Sequence, residues 1–361
     1  MVAGCPTCGL VQLQACPPVE FVVPRVPWIK YREPEQHLDD VVEQLAAVLP
    51  SDAGLALGLG PFEGPLLERL GSRGIKTVAV ELLEEARREC PAGRFPYLET
   101  IQECLSLPIF CEIGEPPGSA SLVSLRYILE HCHDPLAALQ AMKPLIAPGG
   151  LLLIEVPDCS KFLKRLDYSF IWEEHVAYFT RDALGALAVR AGYEMISLSS
   201  YEGPLEDALV AMLRPSSRPP PSVPLALADL FSRYRDEFAA VREAYRSRLS
   251  TMTAAGEGVA ILGVGHQAIM FVNALGIAPY IAMMVDDDPV KQGYAAPGTD
   301  TVIVSSAAML ADPRITTCLL AVGPRAEPIV AKKCGALLER GGQICSIFPG
   351  STIPTLVESR R

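Results

Sequence analysis

At 361 residues, half of them hydrophobic and a fifth charged, the chain is long enough for two or three globular domains with substantial cores. Its 31 Lys and Arg against 42 Asp and Glu leave a formal charge of −11, which argues against a general nucleic-acid binder while leaving room for a local basic pocket. Most of the eleven cysteines stand singly in apolar runs, as at Cys111, Cys318 and Cys345, and read as buried thiols; with no basic-then-apolar leader at the start, a reducing cytoplasm without disulfides is expected.

The first thirty residues open with Cys5-Pro-Thr-Cys8-Gly-Leu-Val-Gln-Leu. A Cys-x-x-Cys followed by Gly aims two thiolates at one ion, so Cys5 and Cys8 are candidate zinc ligands. A closed site needs four ligands and only Cys16 lies nearby, so two free thiols are an equal alternative. Residues 39–49 carry Val41, Val42, Leu45, Ala46, Val48 and Leu49 against an acidic face and predict an amphipathic helix ended by Pro50.

Residues 54–60 then predict a strand, the run from Gly58 through Gly60 to Gly64 a glycine turn, and Pro65 the start of a helix. Glycines there let backbone approach a ligand at the helix start. The next strand, Thr77-Val-Ala-Val, ends in Glu81, about where an acid receives the ribose hydroxyls of an adenosine cofactor. NAD and S-adenosylmethionine (SAM) both fit that turn, spacing and acid. Further on come a strand at Ser121, Ile128-Leu-Glu-His131-Cys-His-Asp-Pro135, a helix over 136–145, Ala147-Pro-Gly-Gly150 and the strand Leu151-Leu-Leu-Ile-Glu-Val. In that order they resemble the class I SAM-dependent methyltransferases.

The densest collection of proton-handling and aromatic groups is Phe170-Ile-Trp-Glu-Glu-His-Val-Ala-Tyr-Phe-Thr180. A helix over 184–193 and a strand near 194–199 follow. The Pro-rich run 216–224 reads as a stiff linker. Residues 225–252 predict one long helix, with Leu227, Leu230, Tyr234, Phe238, Val241, Tyr245, Leu249 and Met252 along one stripe. That stripe reads either as an oligomer seam or, preferably, as a face packed on the chain's own domains. The nearly uncharged run 258–285 has the length of a membrane span, yet Gly263, Gly265, His266, Asn273 and Pro279 break it into strand, turn, helix and strand. This is a second dinucleotide-like fingerprint ending at Asp286. Later strands are expected at 302–304, 317–322 and 343–348, with Arg325 on a turn where it could meet a phosphate.

Three segments together carry a sharper resemblance: Cys5-x-x-Cys8-Gly-Leu-Val-Gln-Leu, Glu174-His175-x-x-Tyr178-Phe179, and Asp286-Asp-Asp-Pro-Val-Lys-Gln-Gly-Tyr-Ala-Ala-Pro-Gly-Thr299. The chain resembles the three-part sugar C-methyltransferases of deoxysugar pathways over nearly its whole length. That resemblance implies an α/β fold: a class I methyltransferase Rossmann-like domain, a second Rossmann-like C-terminal domain, and a small N-terminal segment like a truncated zinc ribbon. The implied boundaries are 1–35 for the N-terminal segment, 36–215 for the SAM domain, 216–255 for linker and long helix, and 256–361 for the substrate domain.

It also implies SAM as methyl donor, zinc as a second candidate, and a nucleotide-linked 4-keto sugar as substrate. The protein would be a cytoplasmic monomer or homodimer with no nucleic-acid or membrane partner. His175 would be the base, with Glu174 and Tyr178 sharing its proton-transfer motif, and His131 and Tyr31 would line the sugar site. Gly58, Gly60, Gly64, Glu81 and Tyr127 would face the cofactor. The chain departs from the family in four places. Gly58 stands where the first strand carries an acid. The turn reads Gly60-Pro-Phe-Glu-Gly64 instead of Gly-x-Asn-Asp-Gly. Trp172-Glu173 precedes Glu174 in place of a Tyr and a His, and the first Cys pair is missing. A member that has lost methyl transfer but still binds a nucleotide sugar, and an NAD-dependent oxidoreductase, are the rival readings.

Overall fold

A computed structural model of the chain describes residues 2–17, 33–50, 54–80, 116–172, 174–203, 206–217 and 228–357. These divide into two compact units. One takes the described residues up to 160 and those from 174 to 228; the other takes 161–172 and 229–357. Tyr31, Glu81 and Glu173 lie outside the described residues.

The first unit begins with a hairpin of β1 (Val2–Gly4) and β2 (Val11–Leu13), antiparallel with Gly4 opposite Val11. The Cys-x-x-Cys forms its turn: Gly9 N–H donates to the Cys5 carbonyl at 2.9 Å, and Gly9 adopts φ 71°, a left-handed conformation that glycine reaches without Cβ strain. Helix α1 (Leu38–Val48) follows. Then come β3 (Leu55–Leu59), α2 (Gly64–Gly71) and β4 (Lys76–Val80), the expected strand, turn and helix. β5 (Ala120–Arg126) leads into a 3-10 turn, Leu129–His131. Helix α3 (Pro135–Met142) starts there because the Asp134 carboxylate accepts from Ala137 N–H at 2.9 Å while Pro135 takes a position needing no N–H.

Strand β6 (Ile146–Asp158) runs through the Pro-Gly-Gly segment. A short helix, α4 (Ser160–Arg165), comes next in the chain, then β7 (Ala177–Tyr178), α5 (Arg181–Arg190), β8 (Tyr193–Tyr201) and β9 (Asp207–Pro215). The main sheet has the order β4-β3-β5-β6-β9-β8, with β4 to β6 parallel and β8 and β9 antiparallel. Both faces are covered. Leu55, Leu57 and Leu59 join one core with Leu139, Leu184 and Leu187, while Ala56, Leu122 and Leu153 pack with Leu38, Leu45, Leu66 and Leu70 on the other side. Each such leucine contributes roughly 1.5–3 kcal/mol of apolar burial. Strand β7 leaves this sheet to pair with β2, Tyr178 opposite Val11.

In the second unit, helix α6 (Ala228–Ala254) carries the long apolar stripe. Tyr234, Tyr245, Leu249 and Met252 are buried, and Tyr245 meets Phe271 edge-on at 5.1 Å, so this stripe packs on its own chain. The Tyr168 and Tyr234 rings pack tilted at 35° with centroids 4.4 Å apart, each hydroxyl donating to a backbone carbonyl: Tyr168 to Tyr234 at 2.7 Å, and Tyr234 to Asp167 at 3.0 Å. The remainder alternates β10 (Gly258–Leu262), α7 (His266–Leu275), β11 (Met283–Val285), β12 (Ile303–Val304), α8 (Ser306–Ala311), β13 (Ile315–Leu320), α9 (Glu327–Lys333), α10 (Gly335–Glu339) and β14 (Gln343–Ser346). Its five strands are all parallel in the order β12-β11-β10-β13-β14. The apolar run that resembled a membrane span is thus two buried strands and a helix, and no described helix is long and apolar enough to cross a membrane.

Candidate active site

Glu130, His131 and His175 converge in the first unit. One ligand-type atom from each lies within 4.8 Å of the others. Two chain segments bring them together. The 3-10 turn after β5 supplies Glu130 and His131, and the loop before β7 supplies His175. Val176 N–H donates to the Glu130 carbonyl at 2.8 Å and joins the segments. From the other side Leu13 N–H donates to the Val176 carbonyl at 2.9 Å, and β2 pairs with β7. The N-terminal hairpin is therefore the outer brace of the histidine segment.

The rings of His131 and His175 meet edge to face, centroids 4.7 Å apart. His131 is buried, and its Nδ1 lies 3.0 Å from the Glu174 carbonyl oxygen. A carbonyl only accepts, so Nδ1 carries the proton and Nε2 holds a lone pair. Burial pushes the His131 pKa down to about 3, outweighing that hydrogen bond, and the ring is neutral at any ordinary pH. Burial likewise raises the Glu130 carboxyl well above the usual range. Its Oε2 has no hydrogen-bond partner among the described residues. The trio therefore holds a neutral acceptor histidine and a buried carboxyl whose ionisation burial opposes. Three such donors could also hold a divalent ion if Glu130 ionised. Glu174 and Tyr178 are both buried, and the Tyr178 ring lies 6.3 Å from that of His175.

The glycine turn lies at the end of β3. Gly60 has φ 118°, and a Cβ on Gly64 would meet nothing within 4 Å. At Gly58 a Cβ would lie 2.6 Å from the Glu63 Cβ, so the Glu63 side chain fills the space above that bare Cα. The fully buried Glu63 carboxylate accepts from Ser124 Oγ at 2.5 Å and from Arg126 N–H at 2.8 Å. Burial raises its pKa to about 7, against the lowering effect of Ser124 and Arg126.

The turn is clamped a second time by the Arg126 guanidinium, which donates to the Phe62 carbonyl at 2.5 Å and the Pro34 carbonyl at 3.1 Å. Arg126 Nε also meets Glu155 at 2.5 Å, and His37 Nε2 reaches the other Glu155 oxygen at 2.8 Å. These bonds hold Glu155 below the usual carboxylate range although burial opposes them. Tyr127 follows at φ 53°, its hydroxyl buried without a partner among the described residues and its ring edge-on to Phe62 at 6.4 Å. An open glycine turn beside an orphaned hydroxyl fits a cofactor presenting polar groups there.

Sequence reasoning brought together His131, Glu174, His175 and Tyr178, and separately Gly58, Gly60, Gly64 and Tyr127. It passed over Glu63, Arg126, Glu155, His37 and Glu130. An acid five residues after a glycine that interrupts a hydrophobic strand was the available signal for Glu63.

In the N-terminal hairpin the Cys5 and Cys8 thiols hydrogen-bond each other, and no third Cys, His, Asp or Glu gathers with them among the described residues. In the second unit Gly263 lies at φ 103° after β10. Asp286, the acid a dinucleotide ribose would need, is already engaged: it accepts from Val264 N–H at 2.9 Å and Asp288 N–H at 2.9 Å, and pairs with Lys291 Nζ at 2.8 Å. Trp172 belongs to this unit and stacks on His266 at 4.7 Å, which burial holds at a pKa of about 4. Arg325 is exposed.

Known proteins resemble separate parts of the chain. A family described as "Methyltransferase domain" matches residues 29–198, and one described as "C-methyltransferase C-terminal domain" matches residues 222–349. The C-methyltransferase NovU of Streptomyces niveus is 25% identical over 276 residues, 69% of this chain and 62% of that protein, so the chain spans under two thirds of this relative's length. A Burkholderia thailandensis 1,6-didemethyltoxoflavin-N1-methyltransferase structure aligns over 51% of this chain and 80% of its own at TM-score 0.35 and 16% identity. A SAM-dependent methyltransferase from Clostridium acetobutylicum aligns over 50% and 91% at TM-score 0.34 and 11% identity.

Proposed function

We propose that this chain, which carries a methyltransferase domain and a C-methyltransferase C-terminal domain, methylates the carbon next to the ketone of a nucleotide-linked 4-keto sugar or a similar ketone. The observation that carries the reading is the convergence of His175 with a tautomer-fixed His131 and the buried Glu130 carboxyl. Gly60–Gly64 and Tyr127 would hold SAM, which when bound would provide an electrophilic methyl group.

The chain's own residues prepare that carbon. His175 takes the proton α to the ketone and becomes cationic. His131, held neutral, offers Nε2 as an acceptor beside the new imidazolium. The buried Glu130 carboxyl lies beside the new imidazolium and can accept a hydrogen bond from it through its carbonyl oxygen. Tyr178 would offer its hydroxyl to the oxygen of the substrate as it gains charge. The second unit, which we read as Rossmann-like, would hold the nucleotide. Asp286, bonded to Lys291 and to backbone amides, speaks against NAD as its ligand. Cys5 and Cys8 are the candidate zinc ligands; metal analysis of the purified protein tests them, and no zinc above background removes that site.

Calorimetric titration with SAM and with NADH separates the main readings. Binding of SAM supports the transferase. Binding of NADH alone overturns it, and binding of neither favours a nucleotide-sugar binder without methyl transfer.

A further inference from the structure

The cofactor turn has an unusual support. Gly58 interrupts a strand whose other residues are leucine and alanine, and Leu67 borders the space left by its missing side chain. The space is taken by a carboxylate side chain from the turn itself. An alanine Cβ at position 58 would come within 2.6 Å of Glu63 Cβ, 2.9 Å of Glu63 Cγ and 2.9 Å of Leu67 Cδ1. Real Cβ atoms do not approach that closely. Glu63 therefore lies where it does because residue 58 has no side chain.

Glu63 is fully buried, yet a carboxyl pointing outward would meet water at no desolvation cost. Its two hydrogen bonds account for the inward position. They run to Ser124 Oγ and Arg126 N–H, both at the end of β5. One side chain thus connects the turn after β3 to the end of the neighbouring strand, just before Tyr127. The guanidinium of Arg126 adds a parallel tie through the Phe62 carbonyl.

We propose that Glu63, folded over the bare Cα of Gly58, is a positioning residue that fixes the Gly60–Gly64 turn against the end of β5 in its cofactor-binding shape. This rests on the SAM reading above and names the residue pair that makes that site work without an acid on the first strand. Glu63 does not touch the methyl donor in this account; it holds the backbone that does. Its hydrogen-bonding shape matters more than its charge: in Glu63→Gln the amide oxygen accepts from Arg126 N–H, while the amide nitrogen donates to Ser124 Oγ, whose own proton turns to the Leu57 carbonyl.

The test uses full-length protein, calorimetric SAM affinity, and hydrogen exchange at the backbone amides of residues 60–64 without cofactor. Glu63→Gln is expected to keep SAM affinity within about threefold. Glu63→Ala is expected to weaken it tenfold or more and to speed exchange in the turn at least tenfold. Gly58→Ala should behave like Glu63→Ala, because the new methyl expels the side chain. Gly58→Ala/Glu63→Gly removes the contact with Glu63 and should melt above Gly58→Ala without regaining affinity. Glu63→Ala with wild-type affinity and wild-type exchange overturns the proposal. If wild type binds no SAM, the SAM reading fails, and the exchange measurement alone still decides whether Glu63 holds the turn.

Discussion

Replacing Arg126 with Met should destabilise the first unit severely. The guanidinium is buried with Glu155 and donates to two backbone carbonyls, Phe62 and Pro34. Met has similar length and fills much of the space, so the cost is electrostatic. Glu155 would remain as a buried carboxylate with only His37 facing it. Breaking one side of a buried ion pair costs about 3–5 kcal/mol. The carbonyls that lose their donor add to this.

Removing the stranded charge should recover part of the loss. The double variant Arg126→Met/Glu155→Gln should be about 1–3 kcal/mol more stable than the single variant, because an unpaired neutral amide is cheaper to bury than an unpaired carboxylate. Urea unfolding followed by far-ultraviolet circular dichroism, reading the first transition, measures both. A single variant that loses less than about 1 kcal/mol would refute the reasoning, as would a double variant no better than the single.

Three other outcomes follow from the same geometry. His175→Ala should bind SAM as wild type does while losing turnover and the exchange of substrate α-hydrogen with deuterated solvent; retained exchange would remove His175 as the base. Tyr127→Phe deletes a buried hydroxyl that has no partner among the described residues, so the cofactor-free protein should be as stable as wild type or up to about 1 kcal/mol more so, while SAM affinity falls several-fold. A drop in stability would show that the hydroxyl is already satisfied. Glu63 has a folded pKa raised to about 7 from 4.5 by burial, with Ser124, Arg126 and Glu155 facing it. Its favourable contribution is complete below pH 4.5 and is lost as pH rises through 7, roughly 3 kcal/mol in all. Glu63→Gln should flatten the stability profile over that range, and an unchanged slope would contradict the assignment.

The sequence carried the parts of the fold whose signals are local. The glycine turn, the Asp134-Pro135 helix start and the periodic stripe of α6 each depend on residues within a few positions of one another. Strand β9 went unrecognised, because Asp207–Pro215 pairs antiparallel to β6, some fifty positions earlier in the chain, and is buried by that pairing. The N-terminal hairpin was read only as a possible metal knuckle. Its mechanical role against β7 depends on Leu13 meeting Val176, a contact that no spacing announces.

The same distinction holds for the site. His131 and His175 were legible as motif residues, but not that they touch or that the Glu174 carbonyl sets the tautomer of His131. Arg126 and Glu155 sit in strands that read as plain hydrophobic runs, and His37 reaches Glu155 across 118 residues. In the sequence Gly58 stands out only as a departure from the family's first-strand acid. The structure instead pairs it with Glu63, so a departure in one position is answered by a side chain five residues on.

Methyl transfer onto carbon is tested most directly by incubating the protein with SAM carrying a carbon-13 methyl and a thymidine-linked 4-keto-6-deoxysugar, then following the product by proton–carbon NMR. The account predicts a new methyl group bonded to the carbon beside the ketone. Labelled methyl on oxygen or nitrogen, or no transfer across thymidine- and guanosine-linked keto sugars by protein that binds both ligands, would contradict it.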